Sequence, residues 1–95
     1  MTVLPVSVRV RIEGRVQGVW YRGWTVDQAQ ARKLTGWVRN RRDGSVEAVF
    51  CGPESLVEDM VALCRSGPIA AKVSQVTSEK IDNLEFDGFR QLATD

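Results

Sequence analysis

The sequence predicts an α+β domain in which two helices cover one face of an antiparallel β-sheet. Three observations predict it: a segment of alternating apolar and polar residues, two strand-like segments joined by a turn dipeptide, and two helical stretches that separate the strands. The chain has 95 residues, which is the length of one domain. We therefore expect residues 1–95 to form a single core.

Composition and charge argue against several classes of protein. The chain is 43% hydrophobic and 26% charged, as soluble globular domains are, and its net charge of +1 provides no broad attraction for nucleic acid or an anionic membrane. Residues 1–11 lack the pattern of a secretory signal, and no apolar stretch has the length of a membrane span. We therefore expect a cytoplasmic protein that contacts neither nucleic acid nor membrane.

The potential metal ligands are few. The chain has no histidine, and its two cysteines, Cys51 and Cys64, are not in a CxxC spacing. Free cysteines in such a setting are usually small core residues. We expect two buried reduced thiols, no metal and no cofactor.

The first strand is predicted at residues 6–13. Its apolar residues recur with a strict period of two, the pattern of a strand with one buried face: Val6, Val8, Val10 and Ile12. Gly14 and Gly18 then mark a loop, since glycine adopts backbone conformations that other residues resist. A helical stretch follows from about residue 22 to residue 34. The order is strand, glycine loop, helix.

A hairpin and a second helix come next. Residues 35–40 (TGWVRN) and 45–51 have strand-like composition and flank Asp43-Gly44, a strong hairpin-turn dipeptide. Pro53 suits the first position of a helix. The apolar residues of that helix recur at helical spacing: Leu56, Val57, Met60, Val61, Leu63 and Cys64. The residues that close it are Arg65, Gly67 and Pro68.

The last third of the chain is less regular. Residues 71–81 predict a strand, although Val73 and Val76 fall on opposite faces unless a bulge lies between them. Residues 84–92 predict a fifth strand or an ordered tail. The full pattern is βαββαβ with a C-terminal extension, which is the ferredoxin-like arrangement of two split βαβ units.

This topology predicts where two distant parts of the chain meet. The first crossover makes the first two strands parallel, with the third strand between them, so their carboxyl ends lie at the same edge of the sheet. Two strand spacings amount to roughly 10 Å. The loop at residues 14–22 and Asn40, which ends the second strand, are therefore expected to share a site.

The loop has the chemistry of an anion site. A loop that feeds a helix amino terminus presents unpaired N–H groups and the positive end of the helix dipole. Arg22 would add a planar guanidinium that can grip two phosphate oxygens at once. On these grounds alone a tight turn with a surface arginine is the favoured interpretation, because glycine-rich turns before helices are common and the loop is neither a Walker A motif nor GxGxxG.

Asn40 is a candidate for holding a water molecule. Its amide can donate and accept hydrogen bonds but cannot remove a proton. An asparagine that merely starts the turn before Asp43-Gly44 is the alternative. Arg39, Arg41 and Arg42 indicate first a solvated hairpin end, which could also guide anions.

Three motifs resemble the acylphosphatase family: GRVQGVWYR at residues 14–22, GWVRN at 36–40 and DGSVE at 43–47. The segment CGPESLVEDMVALCRSGPIAAKV is similar to the family's second helix and the stretch after that helix, so the resemblance covers nearly the whole chain. It implies a metal-independent hydrolase of small acyl phosphates, with Arg22 essential and Asn40 orienting the water. It places the phosphate cradle on the backbone amides of Arg15, Val16, Gln17, Gly18, Val19, Trp20 and Tyr21.

Three positions depart from the family's pattern. A larger residue is expected at Gly23 and a smaller one at Trp20, and we expect neither to touch the chemistry. The end of the first helix, ARKLT at residues 31–35, lacks the family's glycine, which predicts a different C-cap.

The chemistry of this substrate fits the residues available. An acyl phosphate has a carboxylate leaving group that departs without a general acid, so the reaction needs no histidine. It needs neutralised phosphoryl oxygens and a positioned water, with the water's proton passing to a phosphate oxygen. A cysteine phosphatase is disfavoured, because the residues six positions after the two cysteines are Val57 and Ala70 rather than arginine.

Two alternatives remain beside a monomeric acylphosphatase. One is a non-catalytic ferredoxin-like module that binds an anion or RNA, although the first strand has no aromatic residue and the third only Phe50. The other is an accessory domain that handles carbamoyl phosphate within a larger protein.

Overall fold

The structure is a computed structural model that describes residues 4–95. Residues 1–3, which belong to the predicted single domain and to the amino-terminal segment 1–11, lie outside the described part. The elements in chain order are β1 (Pro5–Arg15), α1 (Tyr21–Ala31), β2 (Thr35–Asn40), β3 (Val46–Pro53), α2 (Glu54–Cys64), β4 (Lys72–Ile81) and β5 (Phe89–Gln91). The predicted βαββαβ order and the fifth strand are confirmed. Neither helix is long and apolar enough to cross a membrane.

The five strands form one sheet in the order β4-β1-β3-β2-β5. Strand β3 pairs antiparallel with both β1 and β2, so β1 and β2 are parallel to each other, as the first crossover predicts. Strand β5 pairs parallel with β2. The sheet is therefore mixed rather than wholly antiparallel, and β5 pairs with β2 over Gly36 to Val38.

The core lies between the sheet and the two helices. Val8, Val10 and Ile12 of β1 are buried, while Arg9 and Arg11 between them are exposed on the other face. Helix α1 contacts β2 and β5, helix α2 contacts β1 and β3, and the helices contact each other. The predicted arrangement of both helices on one face is thus confirmed, and it leaves the other face open.

A bulge in β4 brings Val73 and Val76 onto the same face of that strand. Glu13 pairs with Gln75 and Gly14 with Val73, so Ser74 is the extra residue. Val73 and Val76 consequently both pack against the core. Gly14 has φ +123°, and a Cβ there would lie 2.7 Å from the Ser74 nitrogen. Glycine is required where β1 turns into the loop.

The helix ends differ from the prediction. Helix α1 stops at Ala31 because Lys33 takes a left-handed conformation with φ 56°. The Lys33 amide donates to Gln30 O and the Leu34 amide to Ala29 O, both at 3.0 Å, which is a Schellman motif with lysine in the usual glycine position. Pro53 has ψ 137°, so it caps α2 instead of opening it.

Candidate active site

The register of the sheet places Asn40 beside the start of the loop. Asn40 of β2 and Ile12 of β1 both pair with Val46 of β3. They are therefore level with each other, about 10 Å apart across β3. Strand β1 ends three residues later, and the chain returns through residues 16–20 to α1. The loop and Asn40 consequently lie at the same end of the sheet, as predicted.

A cleft of about 190 Å³ opens at this end. The residues that line it are Val16, Gly18, Trp20, Tyr21, Arg22, Gly23, Asn40 and Gln91. Arg15, Gln17 and Val19 of the predicted cradle are not among these lining residues: Arg15 closes β1 opposite Lys72, the Val19 side chain packs against the core, and the Gln17 side chain is directed to the hairpin. The structure thus brings Arg22 and Asn40 together with most of the predicted loop.

The loop backbone is rich in free donors. The amides of residues 16–20 donate to no backbone carbonyl within the described chain, and the first bond of α1 runs from the Trp24 amide to Trp20 O. The amides of residues 21–23 therefore lack intrahelical acceptors. Gly18 and Trp20 have φ 73° and 67°, and left-handed residues of this kind bend a backbone into a concave nest of N–H groups. Such a nest can hold an anion.

The electrostatics of α1 suit an anion at its amino terminus. Its first turn contains no acidic residue and instead contains Arg22. Acidic side chains normally neutralise the positive end of the helix dipole, whereas a cation there is unfavourable unless an anion joins it. The guanidinium of Arg22 donates to Leu92 O at 3.5 Å, a long bond that leaves most of its five N–H donors for another acceptor.

Tyr21 fixes the downstream end of the loop. Its hydroxyl donates to Cys64 O at 2.6 Å, at the end of α2. Burial of the ring raises the pKa of the Tyr21 hydroxyl, so the group remains a protonated donor. The Thr25 hydroxyl in turn donates to Tyr21 O at 2.8 Å. The first turn of α1 is thereby held against α2.

Gln17 fixes the middle of the loop, a role that the sequence did not reveal. Its Nε2 donates to Arg41 O at 2.7 Å and to Ser45 O at 2.8 Å. These carbonyls lie in the hairpin that follows Asn40, so one side chain sets the distance between loop and asparagine. The family resemblance implies a role only for the backbone amide of Gln17. No periodicity marks such a contact, because it joins residues 24 and 28 positions apart.

Asn40 carries an unsatisfied acceptor. Its Oδ1 is buried and has no hydrogen-bond partner among the residues that the structure describes. An unpaired buried acceptor costs about 1–3 kcal/mol. Because Asn40 lines the cleft, a water molecule there could donate to this oxygen. This is the chemistry expected of a residue that orients water.

The arginines that flank Asn40 belong to ion pairs. Arg39 and Arg41 donate to Glu47 Oε1 at 2.8 and 3.0 Å. Burial acts to raise the pKa of Glu47, but these hydrogen bonds outweigh it and the pKa falls below its usual value. Arg41 also pairs with Asp95 at 3.2 Å. Arg39 and Arg41 thus have their charge compensated by nearby carboxylates.

The hairpin turn is fixed by Asp43. Its carboxylate accepts hydrogen bonds from the Ser45 hydroxyl and amide at 2.6 and 2.9 Å, and it pairs with Arg11. The Ser45 hydroxyl first, then its amide and the Arg11 guanidinium, hold the pKa of Asp43 well below its usual range. Ser45 O is one of the two acceptors of Gln17. The turn therefore supports the loop indirectly.

Trp20 and Gly23, the two residues expected not to touch the chemistry, lie together at the candidate site. Both line the cleft. A Cβ on Gly23 would overlap Nε1 of the Trp20 indole and lie 2.7 Å from its Cδ1. The small residue makes room for the large one, so the two departures are a single feature. Their spacing of three residues, one turn of helix, was the signal available in the sequence.

The cysteines are buried and free, as predicted. Burial raises the pKa of the Cys64 thiol to about 12, which keeps it protonated. Cys51 lies 2.8 Å from the hydroxyl of Ser7. Within residues 4–95 no cluster of three or more acidic, histidine or cysteine side chains could hold a metal ion.

Comparisons with known proteins show which family this chain is similar to. The family model "Acylphosphatase" matches residues 8–91. An acylphosphatase of Rhodospirillum rubrum is 54% identical over 85 residues, which cover 90% of this chain and 93% of the relative. One from Bradyrhizobium diazoefficiens is 62% identical over 72 residues, 76% and 73% of the two chains. The solved structure of an acylphosphatase from Coxiella burnetii superposes with a TM-score of 0.90 at 34% identity, over 93% of each chain. The chain belongs to the acylphosphatase family.

Proposed function

We propose that this protein is a metal-independent acylphosphatase, which hydrolyses acyl phosphates to a carboxylate and inorganic phosphate. The observation that carries the proposal is that the free loop amides, Arg22 and Asn40 border one small cleft. Membership of the acylphosphatase family selects this reaction from those that an anion site could perform.

Phosphoryl binding falls to the loop and Arg22. The amides of the predicted cradle, Arg15 to Tyr21, supply oriented dipoles, and the guanidinium supplies a fork that matches two phosphoryl oxygens. Phosphoryl transfer spreads negative charge over the equatorial oxygens, so fixed donors aimed at them lower the barrier. Tyr21 and Gln17 hold these donors in place through their contacts with α2 and the hairpin.

Asn40 positions the attacking water. The water oxygen forms a bond to phosphorus while the bond between phosphorus and the bridging oxygen breaks, and that electron pair leaves with the carboxylate. The side chains that line the cleft include no carboxylate or histidine, and the Tyr21 hydroxyl is committed to Cys64 O. The water's proton therefore passes to a phosphoryl oxygen of the substrate. The leaving carboxylate is a weak base and needs no acid.

The cellular setting completes the proposal. We take the enzyme to be a single-domain monomer of the cytoplasm that engages neither nucleic acid nor membrane. The net charge of +1 supports this, as do the ion pairs that compensate Arg9, Arg39 and Arg41 on the open sheet face. The relatives named acylphosphatase do not favour the RNA-binding or accessory alternatives.

The test is hydrolysis of benzoyl phosphate by the purified protein in excess chelator. We expect one benzoate and one phosphate for each substrate consumed, at a rate that the chelator does not change. Absence of turnover with and without added divalent metal would contradict the proposed function. Turnover that chelator abolishes and added metal restores would contradict metal independence.

A further inference from the structure

We propose that the indole of Trp20, seated on Gly23, forms the acyl-binding wall of the cleft and makes the enzyme prefer aromatic acyl phosphates to small aliphatic ones. The inference rests on the proposed function and adds the substrate class to it. The phosphoryl-binding groups address only the end that every acyl phosphate shares, so selectivity needs a separate element.

Trp20 is placed where such an element must be. Its side chain is 63% exposed, although large apolar side chains are normally buried. The other large exposed apolar side chains of residues 4–95 are Leu4, Ile69, Leu84 and Leu92. Of the five, Trp20 alone lines the cleft that holds Arg22 and Asn40.

Two unfavourable backbone features accompany this position of the indole. Trp20 has φ 67° and ψ 23°, a left-handed conformation that is unfavourable for a bulky residue. Gly23 occupies the first turn of α1, where glycine weakens a helix. An exposed ring, a strained backbone and a helical glycine all serve the same placement. Strain of this kind is typical of functional sites.

The reaction geometry puts the acyl group within reach of this ring. The loop and Arg22 hold the phosphoryl group, and the attacking water at Asn40 must approach opposite the bridging oxygen. The acyl group therefore points away from Asn40, toward the mouth of the cleft. An aromatic acyl group can stack offset on the indole, whereas an acetyl group offers little surface for such a contact.

The test compares kcat/KM for benzoyl phosphate and acetyl phosphate. The measured quantity is the ratio of the two values, so that the different reactivity of the substrates cancels between variants. We expect Trp20→Ala to lower the ratio about tenfold and Trp20→Phe to keep most of it. Trp37→Ala is the matched control, since this tryptophan stacks with Arg39 outside the cleft, and it should leave the ratio unchanged.

Gly23→Ala keeps the tryptophan and tests whether the position of its indole depends on the absence of a Cβ at residue 23. The new Cβ displaces the indole, so the ratio should again fall, by about fivefold. In the Trp20→Ala background the same substitution has no ring to displace and should not change the ratio further. A double-mutant cycle of this kind separates the pairwise effect from general damage.

Each outcome is decisive. If wild-type protein hydrolyses neither substrate, the proposed function fails. If it hydrolyses both and Trp20→Ala changes the two kcat/KM values equally, the proposed function stands and the acyl-binding role is overturned, because a merely structural role would move both. Should Trp20→Ala fail to fold, Gly23→Ala decides the question. An unchanged ratio in Gly23→Ala overturns the inference.

Discussion

The two strand-to-helix connections of this fold share a topology and differ in chemistry. Strand β1 reaches α1 through the five loop residues 16–20, whereas β3 reaches α2 directly from Pro53 to Glu54. Both helices have 11 residues. The first turn of α2 contains Glu54, an acid that satisfies the helix dipole from within the chain, while α1 has Arg22 in its first turn. The β3–α2 connection is neutralised within the chain, and we propose that an anion completes the β1–α1 connection.

The largest expected effect is at Arg22. Arg22→Lys keeps the charge but removes the bidentate fork, and we expect kcat/KM for benzoyl phosphate to fall about 100-fold or more. The matched control is Arg65→Lys at the end of α2, an exposed arginine outside the cleft, which should retain wild-type kinetics. Wild-type turnover in Arg22→Lys would contradict the proposal that the β1–α1 connection, and not the β3–α2 connection, binds the phosphoryl group.

The next largest effect is expected at Asn40. Asn40→Ala should lower kcat about 10- to 100-fold with little change in KM, because the side chain acts on the water and not on the substrate. Steady-state kinetics measure kcat and KM separately. Asn83→Ala removes an asparagine that bonds to Pro5 O, outside the cleft, and serves as the control. A raised KM at unchanged kcat would assign Asn40 to substrate binding instead.

A substitution at Gln17 tests what holds the β1–α1 connection in place. Gln17→Ala removes two hydrogen bonds to the hairpin, which should lower the free energy of unfolding by about 1–3 kcal/mol and weaken inhibition by inorganic phosphate. Urea denaturation gives the first quantity and inhibition kinetics the second. Gln75→Ala, on the exposed strand β4, should alter neither. If the two variants behave alike, the loop does not depend on Gln17.

The smallest expected effects are changes in stability at the carboxyl ends of the two helices. Beyond α1 the left-handed residue is Lys33, and beyond α2 it is Gly67. Lys33→Gly should raise the free energy of unfolding by about 0.5–1 kcal/mol, because glycine adopts this conformation without steric cost. Gly67→Ala should act in the opposite direction, since its Cβ would lie 2.6 Å from the Tyr21 ring. Thermal or urea unfolding checks both signs.

The sequence predicted the parts of the fold that depend on local pattern and chain handedness. The alternation in β1, the Asp43-Gly44 turn and the crossover rule were enough to place Asn40 beside the loop, and the register through Val46 confirms this. The bulge needed to keep Val73 and Val76 on one face also comes from periodicity alone, and Ser74 supplies it.

Features that depend on contacts between distant residues could not be predicted. The sequence predicts that α1 runs to about residue 34, whereas Lys33 takes a left-handed conformation, rare for lysine, that stops the helix at Ala31. The bridge from Gln17 to the hairpin has no local signature. Trp20 and Gly23 are each unusual in the sequence, and their spacing allows a contact, but the spacing alone does not show that the indole lies on the glycine.

The most direct test of the account is a titration of the protein with inorganic phosphate, followed by NMR of the backbone amides and the Asn40 side chain. If the β1–α1 connection is the phosphoryl site, the largest shifts occur at residues 16–22 and at the Asn40 side-chain amide, and the amides of residues 54–56 at the start of α2 do not move. Shifts of equal size at the two helix starts, or none at residues 16–22 under saturating phosphate, would contradict the account.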